Sequence, residues 1–260
     1  MTHEHRIALL IDADNSPADM IDEVLDELAK EGVINIRRAY GNWKSPYLNA
    51  WAALLHDFAI QPFQQFDYTR GKNATDAAMI IDAMDLLYTK QLDGFGIVSS
   101  DSDFTPLVMR LRANGLKVYG FGEQKTPKPF VNACSKFLYL ENLRRPEEAP
   151  SAAPAEAAAS VAATDGNASP KPAPTRADAN NLRSDTRLVN LLRKAVEAAA
   201  DEEGWAGLGA VGQHIAKQAS FDSRNYGYAK LSGLFQAIGL FDMRTHGKGL
   251  QVRDPRAATS

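Results

Sequence analysis

At 260 residues, 45% hydrophobic and 23% charged, the chain is long enough for one large or two modest cores, and its single cysteine, Cys134, excludes an internal disulfide framework. The net charge of −3 argues against indiscriminate nucleic-acid binding, although residues 183–260 carry 11 basic against 8 acidic side chains while residues 1–145 carry 16 against 19. The opening Met-Thr-His-Glu-His-Arg lacks an export pattern and runs such as Ile7 to Ile11 are too short to span a bilayer, so a soluble, cytoplasmic protein without a membrane partner is expected.

Arg6–Ile11 is a continuous apolar run, as in a strand buried on both faces. Ser16-Pro17 supplies an N-cap and first-turn proline, and Met20, Val24, Leu25 and Leu28 repeat at helical spacing up to Gly32. Val33–Tyr40 alternates like a strand, Ser45-Pro46 opens a helix through Leu54, Leu55 and Phe58, with His56 inside it, and Ile60–Phe66 is a third strand. Thr75–Tyr88 reads as a long helix with Ala78, Ile81, Met84 and Leu87 on its apolar face. Gly96–Val98 and Lys117–Phe121 are strands around a helix at Pro106–Ala113, and Phe137–Leu140 closes the sheet or packs along its edge. This alternation predicts an α/β fold, a mostly parallel sheet with helices on both faces, over residues 1–145. Residues 146–182 turn to Ala, Pro, Ser and Asp and predict a disordered tether. Residues 183–256 then offer helices at Arg187–Ala199, Leu208–Gln218 and Tyr226–Ile238. Strands at Phe241–Thr245 and Leu250–Arg253 flank the turn His246-Gly247-Lys248-Gly249, which together make a small winged helix.

The carboxylates fall where this architecture gathers ligands. Asp12 and Asp14 follow the first strand, Asp101 and Asp103 follow Gly96–Val98, and Asp76 sits in the first turn of the long helix. If the first and fourth strands are neighbours, both loops border one crevice at the carboxyl end of the sheet. Several ionised carboxylates together require a cation or protonation, and hard oxygen ligands without a Cys/His cluster favour Mg²⁺ or Mn²⁺. Asp82 and Asp85 lie further along the helix, in solvated or salt-bridged roles.

Ile11-Asp12-Ala13-Asp14-Asn15, Gly71-Lys72-Asn73-Ala74-Thr75-Asp76 and Val98-Ser99-Ser100-Asp101-Ser102-Asp103-Phe104 occur in this order. Together they resemble the NYN (LabA-like) branch of the PIN-like nucleases over about Arg6 to Leu143. The resemblance implies a PIN-like open sheet, metal binding and catalysis by Asp12, Asp76, Asp101 and Asp103 with Asn15 as polar partner, and cleavage of single-stranded RNA. Ser99 and Lys72 are supporting candidates. Asp14 departs from the pattern, because many relatives carry a non-acidic residue there. Arg38, Lys44, Arg70, Lys125 and Lys128 are candidates for lining an RNA path, while Tyr40, Trp43 and Tyr68 suit core or loop packing as well as base stacking.

Tyr226-Gly227-Tyr228-Ala229-Lys230-Leu231-Ser232-Gly233-Leu234-Phe235 resembles the third-helix signature of LOTUS, or OST-type, helix-turn-helix domains. The resemblance implies RNA binding, or protein binding in some members, with Arg224, Tyr228, Lys230, Arg244, His246 and Lys248 as contacts. Three functions are thus weighed: a metal-dependent endoribonuclease whose C-terminal module recruits RNA, single-stranded or structured; a haloacid-dehalogenase-like phosphatase using Asp12 and Asp14; and a catalytically silent RNA-binding adaptor. A homodimer is left open.

Overall fold

A computed structural model describes residues 4–66, 74–89, 91–143, 178–247 and 249–256. Strands β1 (Arg6–Asp12), β2 (Val33–Gly41), β3 (Gln61–Gln64), β4 (Gly94–Val98), β5 (Lys117–Gly122) and β6 (Lys136–Tyr139) form one sheet in the order β3-β2-β1-β4-β5-β6, every pair parallel. The two-residue period of β1 sends Ile7, Leu9 and Ile11 into one core layer, and Ala8 and Leu10 into the other. Helices α1 (Ile21–Ala29) and α2 (Asn49–Leu54) cover the first layer. Helices α3 (Ala74–Thr89), α4 (Thr105–Ala113) and α5 (Lys128–Ala133) cover the second. The chain therefore winds outward from β1 to β3, and α3 carries it back across to β4. The order reverses between β1 and β4, where a crevice opens at the strands' carboxyl ends.

The C-terminal module holds α6 (Ala179–Ser184), α7 (Thr186–Ala199), β7 (Ala206–Gly207), α8 (Leu208–Gln218), α9 (Leu231–Ile238), β8 (Asp242–His246) and β9 (Gly249–Arg253). Its antiparallel sheet runs β7-β9-β8, and its core is built from Leu188, Leu192, Val211, Leu234, Phe235 and Val252. Asp185 caps α7 by accepting the Leu188 N–H at 3.0 Å. Arg244 and Arg253 lie over the Trp205 ring, 4.0 and 4.7 Å from its centroid, and tie the hairpin to the loop before β7. The winged-helix reading holds, with β7 as an added third strand.

Several elements differ from expectation, each for a local reason. The long helix is apolar on more than one side. It buries Met79, Ala83 and Leu86 and leaves Ile81 63% exposed, so the face inferred from Ala78, Ile81, Met84 and Leu87 is rotated. The second helix is a 3-10 turn (Pro46–Leu48) followed by only six α-helical residues. Its end is a tight turn at Ala59 (φ 50°), which leaves His56 exposed. Ser16 does not cap the first helix; its hydroxyl donates to the Val98 carbonyl at 3.3 Å. The expected helix from Tyr226 is broken by Gly227 in the left-handed region (φ 81°), so a 3-10 turn (Ser223–Tyr226) precedes α9. Helix α5 was not foreseen, and α6 begins inside the stretch read as tether. The rest of that stretch, up to residue 177, and Tyr68, Arg70, Lys72 and Lys248 lie outside the described residues.

Candidate metal centre

The register of the central strands assembles the site. Ile11 pairs with Val98, so Asp12 and Ser99 leave their strands side by side. The Ser99 hydroxyl donates to Asp12 Oδ2 at 2.9 Å and accepts the Asp101 N–H at 3.1 Å, which joins the two acidic arms through one side chain. Asn15 Nδ2 donates to both Asp12 oxygens at 3.3 and 3.2 Å. Asp12 itself has no solvent exposure, and Ser99 has none. Burial pushes the Asp12 carboxyl up to about 6, against the Ser99 and Asn15 hydrogen bonds and with some help from the charges of Asp76 and Asp14.

Asp101 caps the 3-10 turn Ser102–Phe104 by accepting the Asp103 N–H at 2.8 Å, and Phe104 anchors the turn in the core. Asp76, buried on the first turn of α3, faces this loop. One oxygen each from Asp76, Asp101 and Asp103 lies within 4.8 Å of the others. Burial, then repulsion from Asp101, Asp103 and Asp14, raises the Asp76 carboxyl above its ordinary range. Such a group gains from a neutralising cation, and its donor set is all carboxylate oxygen, which fits a hard divalent ion. Asp12, expected as a fourth ligand, is not in this group; it is wholly buried and held by Ser99 and Asn15.

Asp14 plays a scaffold part, neither capping a helix nor joining the trio. It accepts the Asn42 N–H at 3.2 Å and the Thr75 hydroxyl at 2.9 Å, which holds the start of α3 beside the β2 end. Thr75 was missed by sequence reasoning, although its place beside Asp76 at a helix start was a usable signal.

The cationic candidates divide. Lys44 is exposed and sits 4.9 Å from the Phe66 ring centroid, near the carboxyl end of β2. Trp43 is pinned by its Nε1–H to the Phe63 carbonyl at 3.0 Å, and Tyr40 is wholly buried. Arg38, expected on an RNA path, instead donates to both Asp82 oxygens at 2.5 and 2.7 Å beneath α3, with the Tyr40 hydroxyl on the same carboxylate. Lys125 pairs with Glu123, and Lys128 is exposed at the start of α5. In the C-terminal module Tyr228 packs on the core, and Lys230 is exposed at a cleft of about 420 Å³ shared with Glu27 and Arg224. Arg224, expected to contact RNA, instead spends its guanidinium on Glu27 and Asp222. No helix among the described residues is long and apolar enough to cross a membrane.

A family model for the NYN domain matches residues 6–141, and one for the OST-HTH/LOTUS domain matches residues 183–253. An uncharacterised protein of Methanocaldococcus jannaschii is 33% identical over 130 residues, 46% of this chain and 49% of that protein, so the chain spans about half the length of this relative. A protein of unknown function from Vibrio parahaemolyticus aligns over 54% of this chain and 94% of its own, at 19% identity and a TM-score of 0.44. An uncharacterised protein of Nitrosomonas europaea aligns over 35% of this chain and 90% of its own, at 32% identity and a TM-score of 0.26.

Proposed function

We propose that this chain, which belongs to the NYN domain family, is a metal-dependent endoribonuclease acting on single-stranded RNA, with its OST-HTH/LOTUS module recruiting the RNA. The observation that carries this reading is the convergence within 4.8 Å of an oxygen of Asp76 on α3 with oxygens of Asp101 and Asp103 after β4. Asp76, Asp101 and Asp103 would hold Mg²⁺ or Mn²⁺. Bound there, such an ion supplies charge stabilisation for a phosphodiester and an activated water. Ser99 and Asn15 hold the Asp12 carboxylate fixed. Asp14 and Thr75 hold the start of α3, and so Asp76, in place.

Lys44 on the nuclease edge is proposed to follow the RNA backbone, with Arg70 and Lys72 as further candidates from the sequence. Tyr228, Lys230 and Lys248 are the proposed contacts of the module; Arg38 and Arg224 are left out because their charges are already matched. Tethering a recruiting module raises the local RNA concentration without a strongly basic catalytic face. A phosphatase reading would need Asp12 as an accessible nucleophile, and its burial speaks against that.

The test compares wild type with Asp101→Asn on single-stranded RNA in Mg²⁺ or Mn²⁺. Cleavage by wild type that the substitution abolishes supports the assignment. Undiminished cleavage by the variant removes it, and RNA binding without cleavage by either leaves the adaptor.

A further inference from the structure

The 3-10 turn Ser223–Tyr226 of the C-terminal module meets the nuclease-type domain of the same chain. Asp222 shapes the turn by accepting the Arg224 N–H at 2.9 Å, and also receives the Arg224 guanidinium. That guanidinium then reaches across the chain to Glu27 on α1, with Nη1 donating to Oε2 at 2.8 Å and Nη2 to Oε1 at 2.7 Å. The fork matches the two carboxylate oxygens, a geometry that a lysine cannot reproduce. Glu27 is 4% exposed, and Lys30 and Lys136 complete its shell at 2.5 and 3.1 Å. Its carboxyl is held far below the ordinary range, first by Arg224.

The next residue makes a second, independent contact. Strand β6 is the outer edge of the sheet, with only β5 as a neighbour. Its outward backbone groups are those of Phe137 and Tyr139, because alternate residues face the same side. Asn225 Nδ2 donates to the Phe137 carbonyl at 2.9 Å, and Asn225 Oδ1 accepts the Tyr139 N–H at 3.3 Å. The side-chain amide thus occupies the place that the peptide group of an added strand would take. An open edge is a template for pairing with another chain, and here one residue closes it. Arg187 adds a third tie, donating to Asn132 Oδ1 at 2.9 Å.

We propose that this surface of α1 and β6 is a docking site for the chain's own C-terminal module. Asp222, Arg224 and Asn225 act as its latch and hold the two domains as one body. Paired charge identifies the occupant: Glu27, balanced with Glu31 by Lys30 and Lys136, receives the Arg224 guanidinium together with its own Asp222, which lies 3.9 Å from Lys136, and the strand edge receives an amide. The latch keeps Arg224 away from RNA. This inference is independent of catalysis.

Amide exchange on the full chain tests it, with mass measured in parallel. In monomeric wild type the Tyr139 N–H is expected to be protected. It should exchange at least about tenfold faster in both Asn225→Ala and Glu27→Arg, while Leu138, which faces β5, keeps its rate. The two variants lie in different domains, so misfolding of one turn cannot mimic the result; unchanged Leu138 exchange shows that the sheet is intact. Equal Tyr139 rates in all three proteins would overturn the latch. Tyr139 protection that disappears as a dimer dissociates on dilution would overturn docking within one chain.

Discussion

Replacing Asp12 by asparagine is expected to stabilise the metal-free protein at neutral pH while weakening its response to metal. The folded carboxyl is pushed up to about 6, whereas its ordinary value is 3.8. Between these values the unfolded chain has released its proton and the folded chain still holds it. Wild-type stability therefore falls as pH rises through this window, and the deficit persists above it. At 1.36 kcal/mol per pH unit the deficit is about 3 kcal/mol. Asparagine has no proton to lose and fits the same space, although it offers one oxygen where the carboxyl offers two to Ser99 and Asn15, which costs about 1 kcal/mol. Urea denaturation in EDTA, from pH 4 to pH 8, reads the difference between variant and wild type. That difference should move in favour of the variant by about 2–3 kcal/mol across the window, with a smaller part from Asp76 and Asp14, whose charges act on Asp12. Added Mn²⁺ should then raise wild-type stability more than that of the variant. A difference that stays flat with pH would refute the claim that the buried carboxylate is held against its charge.

Gly122→Ala should transmit damage from β5 to the site, because a Cβ there would lie 2.6 Å from the Ser99 carbonyl oxygen and 2.7 Å from Thr126 Oγ1. A loss of about 1–3 kcal/mol in urea unfolding is expected, with weakened Mn²⁺ binding by calorimetry; unchanged metal affinity would show that Ser99 does not relay the strain. Asp82→Ala should cost about 3 kcal/mol or more, since it strands the Arg38 guanidinium beneath α3 and leaves the buried Tyr40 hydroxyl without its acceptor. A loss below about 1 kcal/mol in the same assay would mean that solvent reaches the pair.

Much of the nuclease-type sheet is legible in the chain because its central strands are short apolar runs with acids immediately after them. That pattern places Asp12 and Asp101 at one crevice if β1 and β4 are neighbours, and they are. What could not be read is partner choice. Nothing local to Arg38 announces Asp82, and Arg224 looks like a phosphate contact until a glutamate 197 positions away is brought beside it. The buried face of α3 was illegible for a different reason: a helix apolar on several sides has no single stripe to read. Helix α5 is only six residues long and begins with Lys128-Pro129, which resembles a loop. Asp12 was read as equal to the other acids, whereas packing around Ser99 encloses it completely.

The alignment of Ile11 with Val98 carries a consequence for how this chain tolerates change. Inserted residues in the turn between α1 and β2 would lengthen a connection at the opposite end of the sheet and leave the acids where they are. One residue inserted within β4 would turn Ser99 toward the opposite layer and part the enclosed aspartate from its donor, with no acidic residue lost. The acidic site is thus specified by phase along two adjacent strands, and a length change can disrupt it as surely as a substitution.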